Sequence, residues 1–249
     1  VIGLEVQELA MRFARPSLYP YARFDIDGVD LIPAGGPAIL CGNHRSYFDV
    51  AAMSLAIAKS GRPARFLGKK EVFDAPIVGP IAAAMGGIRV DRGTGSDEPL
   101  AAAADALAGG EMVTMMPEGT IPRGPAVFRK PVGRGGAARL AQLSGAPVIP
   151  VGLWGTEQVW PRSSRLPNVL NLASPPTVSV RVGAPVALKG RSLEADTKRI
   201  MAAIVALLPD DAYSRRTPSE EELARTYPPG YSGDPAREVG RRPGSDADD

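Results

Sequence analysis

One histidine occurs in the 249 residues, His44, and Asp49 follows it in the stretch AILCGNHRSYFDV. An imidazole backed by a carboxylate can take a proton from an alcohol, because the carboxylate fixes the tautomer and stabilises the imidazolium that forms. Well placed, such a base contributes about 10²–10⁴ in rate. Within one regular helix, residues five apart are rotated by roughly 500° and face different ways. A strand-to-helix junction removes that obstacle, since the loop between can fold His44 back onto the first helical turn. The same pair would serve equally to tie a loop to a helix, and the two residues alone leave both readings open.

Other chemistries find less support. A serine hydrolase needs its nucleophile on a sharp strand-to-helix turn, and no G-x-S-x-G occurs. Ser46 and Cys41 are close to His44 in sequence, which does not establish attack geometry, and Cys41 ends an apolar strand and reads as core. With one cysteine and one histidine, no intrachain disulfide or multi-cysteine metal site can form, and no metal is expected. GRGGAA at 133–138 imitates a dinucleotide fingerprint without the strand before it or an acid about 20 residues on. MMPEGT at 115–120 offers backbone N–H groups and a hydroxyl that could cradle a phosphate, although alone it is an ordinary turn. GGIRVDR carries Arg89, Asp91 and Arg92, whose guanidinium forks suit phosphate oxygens but are as often solvated.

The elements that would position these groups alternate between strand and helix. AILCG reads as a buried strand, DVAAMSLAIAKSG as a helix closed by Gly61, and PARFLGK and GGIRVDR as strands. The mixed prolines and apolar residues of EVFDAPIVGPIAAAMG resist assignment. From Glu98 come an Ala-rich helix, the strand MVTMM, a loop from Pro117, the helix GGAARLAQLSG and the strand PVIPVGLW. TVSVRVGAPV adds a strand, and Ser192 caps a last helix through Leu208. The expected class is α/β, a largely parallel central sheet flanked by helices. Ile2, Val6, Leu9 and Phe13 mark one face of an amphipathic N-terminal helix that Pro16 ends. Three segments follow: an amphipathic N-terminal segment over 1–29, an α/β domain over 30–210, and a polar, partly disordered extension over 211–249 in which SEEELARTY forms a short helix.

A formal charge of +2 and no Lys/Arg run interleaved with aromatics argue against nucleic acid as a partner. No run of about 20 apolar residues is present to span a bilayer, and the N-terminus lacks the layout of a secretory signal. A cytoplasmic chain is expected, and its start at Val1 leaves an upstream anchor open.

Taken in order, the pieces resemble the glycerolipid acyltransferases, specifically the bacterial lysophosphatidic acid acyltransferase family. Asn43, His44 and Asp49 match its Asn-His-x4-Asp signature; Gly87, Ile88, Val90, Asp91 and Arg92 match the Gly–apolar–Asp-Arg block. Pro117, Glu118, Gly119 and Thr120 match Pro-Glu-Gly-Thr, and Val148, Ile149 and Pro150 match the aliphatic strand with proline. GKKEVF at 68–73 and GGAARLA at 135–141 are similar to the segments flanking these blocks, so the resemblance runs from about residue 30 to 190. There are departures: Ile121 stands where an arginine is common, with Arg123 two residues later, Met116 replaces an aromatic, and Arg89 sits where apolar residues are usual.

The resemblance implies transfer of a fatty acyl group from acyl-CoA, or acyl carrier protein, to the free hydroxyl of lysophosphatidic acid, giving phosphatidic acid. No cofactor is implied beyond that donor. His44 would be the base and Asp49 its orienting partner, and an activated thioester explains why no serine nucleophile is needed. Asn43, Lys69, Arg89, Arg92, Glu118, Gly119, Thr120 and Arg123 are the candidate substrate-binding residues; ionised Glu118 cannot bind phosphate and would position arginines. The apolar stretch APIVGPIAAAMGG could line an acyl channel. Lipid substrates imply a peripheral, monotopic enzyme on the cytoplasmic face of the plasma membrane. The resemblance makes residues 1–29 a membrane-interface segment whose N-terminal helix, then Leu18, Tyr19, Tyr21 and Phe24 with Arg12, Arg15 and Arg23, is the candidate anchor, the alternative being a helix packed on the protein's own core. An esterase using the same pair on water, or a non-catalytic lipid-binding module, are the competing readings.

Overall fold

The computed structural model describes residues 2–76, 78–90, 98–124, 127–128, 133–214 and 216–231. The chain opens with helix α1 (Ile2–Phe13) and strands β1 (Arg23–Asp27) and β2 (Ala38–Gly42), then helix α2 (Asp49–Ser60) and strand β3 (Ala64–Lys69). Helices α3 (Lys70–Asp74) and α4 (Val78–Ala84), strand β4 (Ile88–Val90), helix α5 (Glu98–Ala108) and strand β5 (Met112–Met115) follow. Then come β6 (Val127–Phe128), α6 (Gly136–Ser144), β7 (Val148–Trp154), α7 (Thr156–Val159) and β8 (Thr177–Val182). Helix α8 (Leu193–Val205), β9 (Tyr213–Ser214) and α9 (Glu220–Ala224) close the described chain.

Seven strands form one sheet in the order β1-β8-β7-β2-β5-β3-β4. Among the described residues only the β7–β8 pair is antiparallel, so the expected largely parallel sheet is what forms. Strand β2 is buried at every position because helices cover both of its faces. Side-chain alternation sorts its residues: Leu40 joins Ala52, Met53, Ala56 and Ile57 of α2, whereas Ile39 and Cys41 join Ala103 and Leu107 of α5 and Leu140 of α6. The connection from β2 passes over β5 to reach β3, and that from β5 passes over β2 to reach β7. The chain therefore diverges at the carboxyl ends of β2 and β5, where crevices in such sheets hold ligands.

The sheet begins earlier than the sequence pattern suggests. Residues 23–27, assigned to the interface segment, pair with β8 as an edge strand. Tyr19, Tyr21 and Phe24, read as part of the anchor, pack on the core instead, with Tyr19 edge-on to Phe48 at 5.4 Å between ring centroids. Burying these rings against Phe48 outweighs their suitability for an interface, since each removes a large apolar area from water. Helix α1 itself is docked through Gln7, whose amide pairs with both backbone groups of Ala64 at 2.9 and 3.1 Å. Its face of Val6, Leu9 and Phe13 remains exposed. The unassigned stretch after residue 70 forms α3 and α4. Among the described residues, no helix is long and apolar enough to cross a membrane.

Candidate active site

Three adjacent strands deliver the candidate residues to one end of the sheet. After β2 come Asn43, His44 and Arg45; after β5 comes Pro117–Thr120; after β7 comes Thr156. Asn43 staples two of these ends together: its amide donates to the Leu153 carbonyl at 2.8 Å and accepts from the Leu153 N–H at 2.7 Å. Both halves of that buried amide are thereby spent on the β7 backbone.

His44 Nδ1 lies 2.7 Å from Asp49 Oδ2, and the imidazole is about one-fifth exposed while Asp49 is fully buried. A buried carboxylate is tolerable only when its oxygens are satisfied. Oδ2 also accepts the backbone N–H groups of Arg45 at 2.6 Å and Ser46 at 2.8 Å, and Oδ1 accepts the Thr156 hydroxyl at 2.5 Å. Asp49 is the first residue of α2, where the positive end of the helix dipole favours a negative charge. The loop curls because its own N–H groups converge on that carboxylate, and the curl carries His44 back to it.

Glu118 holds the same loop from the other side. Its Oε2 accepts the His44 backbone N–H at 2.6 Å. Burial pushes its carboxyl up to about 8; the His44 N–H bond and the Arg45 charge oppose this, and Asp49 adds to it. Glu118 therefore carries a proton through most of the neutral range and fixes the backbone of His44. The turn beneath it depends on Gly119, whose φ of 70° few side chains tolerate, with its N–H donating to the Met116 carbonyl at 3.0 Å. Arg45 is the cation felt by Glu118 and by Glu157, whose carboxyl burial also raises, and its guanidinium lies over the Trp154 ring at 5.0 Å. Burial pushes the Cys41 thiol upward, which keeps it an unreactive core group.

The remaining candidates are spread more widely. Thr120 is half-buried after Gly119, and Lys69 ends β3 at the same end of the sheet. Arg89 points outward from β4 and pairs with Asp74 of α3 at 2.7 Å, both groups nearly half exposed. Arg123 lies over the rings of Tyr227 and Tyr231 and donates to the Tyr231 hydroxyl at 2.9 Å. Together with the bond from Gly124 N–H to Thr226 Oγ1, this folds part of the polar C-terminal extension back onto the loop after Thr120. Asp91 and Arg92 lie outside the described residues.

Sequence reasoning missed Thr156. Its signal was available in GT at 155–156: Gly155 has φ 84°, and an added Cβ would meet the Thr177 carbonyl oxygen at 2.1 Å. Only glycine lets the chain turn there and bring the next hydroxyl to Asp49.

The family model described as Acyltransferase matches residues 23–154, which include Asn43 through Asp49 and Pro117 through Thr120. The chain is 28% identical over 170 residues to a chloroplastic 1-acyl-sn-glycerol-3-phosphate acyltransferase of Brassica napus, covering 66% of this chain and 46% of that protein. It is 29% identical over 168 residues to the corresponding chloroplastic enzyme of Arabidopsis thaliana, covering 66% and 44%. The chain thus spans less than half the length of these curated relatives. Its fold is similar to the crystal structure of a 1-acyl-sn-glycerophosphate acyltransferase from Thermotoga maritima, with TM-score 0.55 at 20% identity, covering 82% of this chain and 77% of that one.

Proposed function

The chain belongs to the acyltransferase family, and from that premise we propose that it moves a fatty acyl group from acyl-CoA or acyl carrier protein to the free hydroxyl of lysophosphatidic acid. The relatives named for 1-acyl-sn-glycerol-3-phosphate support that choice of acceptor. The observation that carries the chemistry is the 2.7 Å contact between His44 Nδ1 and Asp49 Oδ2. A carboxylate can only accept, so Nδ1 carries the proton and Nε2 the lone pair.

In the proposed reaction Nε2 takes the acceptor hydroxyl's proton as that oxygen attacks the thioester carbonyl carbon. The C–O bond forms, the C–S bond breaks, and the imidazolium returns its proton to the departing thiolate. Phosphatidic acid and the free thiol of the donor result, and no enzyme nucleophile is consumed. Arg92 is assigned to the acceptor phosphate on the resemblance of its sequence block, with Lys69, Gly119 and Thr120 at the carboxyl ends of β3 and β5 and Arg123 and Arg89 as further candidates. The protein works as a peripheral enzyme at the cytoplasmic face of the plasma membrane, held by the face of α1 on which Val6, Leu9 and Phe13 stand exposed.

A grid of acyl donors against acceptors with purified protein tests this directly. Transfer requires that donor be consumed only when lysophosphatidic acid is supplied, with phosphatidic acid formed in equal amount. Thioester loss without acceptor points to an esterase, and lipid binding with no turnover points to a binding module.

A further inference from the structure

The loop between α7 and β8 holds a second group of large apolar side chains in solvent. Leu166, Val169, Leu170 and Leu172 are 75%, 44%, 86% and 59% exposed. We propose that this loop is a second membrane-contacting element, which seats its leucines among the acyl chains of a bilayer containing anionic lipid, beside the active site. The proposal rests on the lipid-acceptor reading above and adds where the bilayer meets the site.

The leucines are presented by an ordered backbone. Asn168 N–H donates to the Val159 carbonyl at 2.8 Å, Leu172 N–H to the Leu170 carbonyl at 2.8 Å, and Trp160 Nε1 to the Ser164 carbonyl at 3.2 Å. Surface loops are ordinarily polar, and four large apolar residues within seven positions leave apolar area in water that a bilayer would remove. Charge favours the same occupant. From Gln158 through Leu193 the sequence contains no Asp or Glu. Of the two arginines in the loop Arg165 is exposed, whereas Arg162 is buried at its root. An apolar tip with an exposed arginine beside it and no acid in the segment suits an anionic lipid surface, whereas a second copy of the loop would bring Arg165 against Arg165.

The root of the loop is part of the site. Ser46 Oγ donates to the Trp160 carbonyl at 2.5 Å, and the rings of Tyr47 and Trp160 lie 5.5 Å apart. Trp160 follows α7, whose first residue holds Asp49. A bilayer touching Leu170 therefore lies beside the segment that carries His44, and an acceptor could approach without full transfer into water.

The test places one environment-sensitive fluorophore on Leu170→Cys of the full chain; the native Cys41 is buried and does not compete for label. A Lys198→Cys variant, on the exposed face of α8, is the control. With phosphatidylcholine vesicles containing phosphatidylglycerol, the label at 170 should shift to the blue and be quenched by nitroxide-bearing lipid, and the label at 198 should not. Leu170→Glu with Leu172→Glu should weaken vesicle partitioning by roughly tenfold or more, while transfer between short-chain soluble substrates stays at the parent rate. An unshifted label at 170, or parent-like partitioning of the double variant, overturns the proposal. A blue shift that depends on protein concentration without vesicles overturns it in favour of self-association. Absence of soluble-substrate transfer in the parent would defeat the acyltransfer reading instead, and the quenching result decides the membrane contact separately.

Discussion

Thr156 donates its hydroxyl hydrogen to Asp49 Oδ1 at 2.5 Å, joining the first residue of α7 to the first residue of α2 across 107 positions of sequence. The pair His44–Asp49 is thus a trio, and the third member fixes the carboxylate that orients the base. Thr156→Val keeps the shape and removes the donor. It should lower kcat roughly tenfold with little change in KM and destabilise the fold by about 1–3 kcal/mol, as expected for one unsatisfied buried acceptor. Thr156→Ser should restore kcat. A Val variant that is less stable but turns over normally when folded would make Thr156 purely structural.

Glu118 supplies a pH dependence. Its folded carboxyl is raised to about 8, above the ordinary carboxylate range, so between about pH 4.5 and 8 the unfolded chain has released a proton that the folded chain retains. The unfolded state binds fewer protons there, and stability contributed by this group falls as pH rises through that window. Denaturant titrations of Glu118→Gln from pH 5 to 8 should lack this loss, so its stability relative to the parent should rise across the window. A difference that is constant with pH would contradict a protonated, buried Glu118.

How much of this was legible in advance follows from the range of the interactions. The helix from Asp49 and its close at Gly61, the buried strand β2 and the Ser192 cap were readable because periodicity and capping are local signals. His44 and Asp49 were readable because five residues and a junction suffice to bring them together. Thr156 was not, because its partner is supplied by a different strand, and a single Gly-Thr pair does not announce the strand order. Strand β1 was missed because RFDID shows too short an alternation beside a strong amphipathic helix, and its pairing with β8 is set by residues over 150 positions away. The role of Glu118 on the His44 backbone was hidden for the same reason, since chemistry alone suggests a partner for arginines.

Substitution separates the roles of two arginines. Arg89 belongs to an exposed ion pair with Asp74, of the kind worth about 0–1 kcal/mol, so Arg89→Ala should leave transfer close to the parent. Arg92→Lys keeps the charge and loses the bidentate fork, and should raise the acceptor KM about tenfold or more with a smaller effect on kcat. Steady-state kinetics with varied lysophosphatidic acid read both. A silent Arg92→Lys alongside a damaging Arg89→Ala would transfer the phosphate role to Arg89.

The face of α1 can be tested without disturbing its docking. Gln7 ties the helix to Ala64, and removing residues 1–24 would also take Tyr19 and Tyr21 from the core, so substitution is the cleaner probe. Leu9→Glu with Phe13→Glu changes side chains that are 57% and 69% exposed and should leave thermal stability near the parent. Sedimentation with anionic liposomes should fall by roughly tenfold or more. Parent-like sedimentation would make α1 a bystander at the membrane.

The most direct measurement is turnover by His44→Ala, because His44 is the chain's sole imidazole and no other histidine can replace it as base. The variant should fold, judged by an unchanged far-ultraviolet spectrum and a cooperative melt, and should lose acyl transfer to lysophosphatidic acid by about 10²–10⁴-fold. A folded His44→Ala protein that forms phosphatidic acid at near the parent rate would contradict the assignment of His44 as the base.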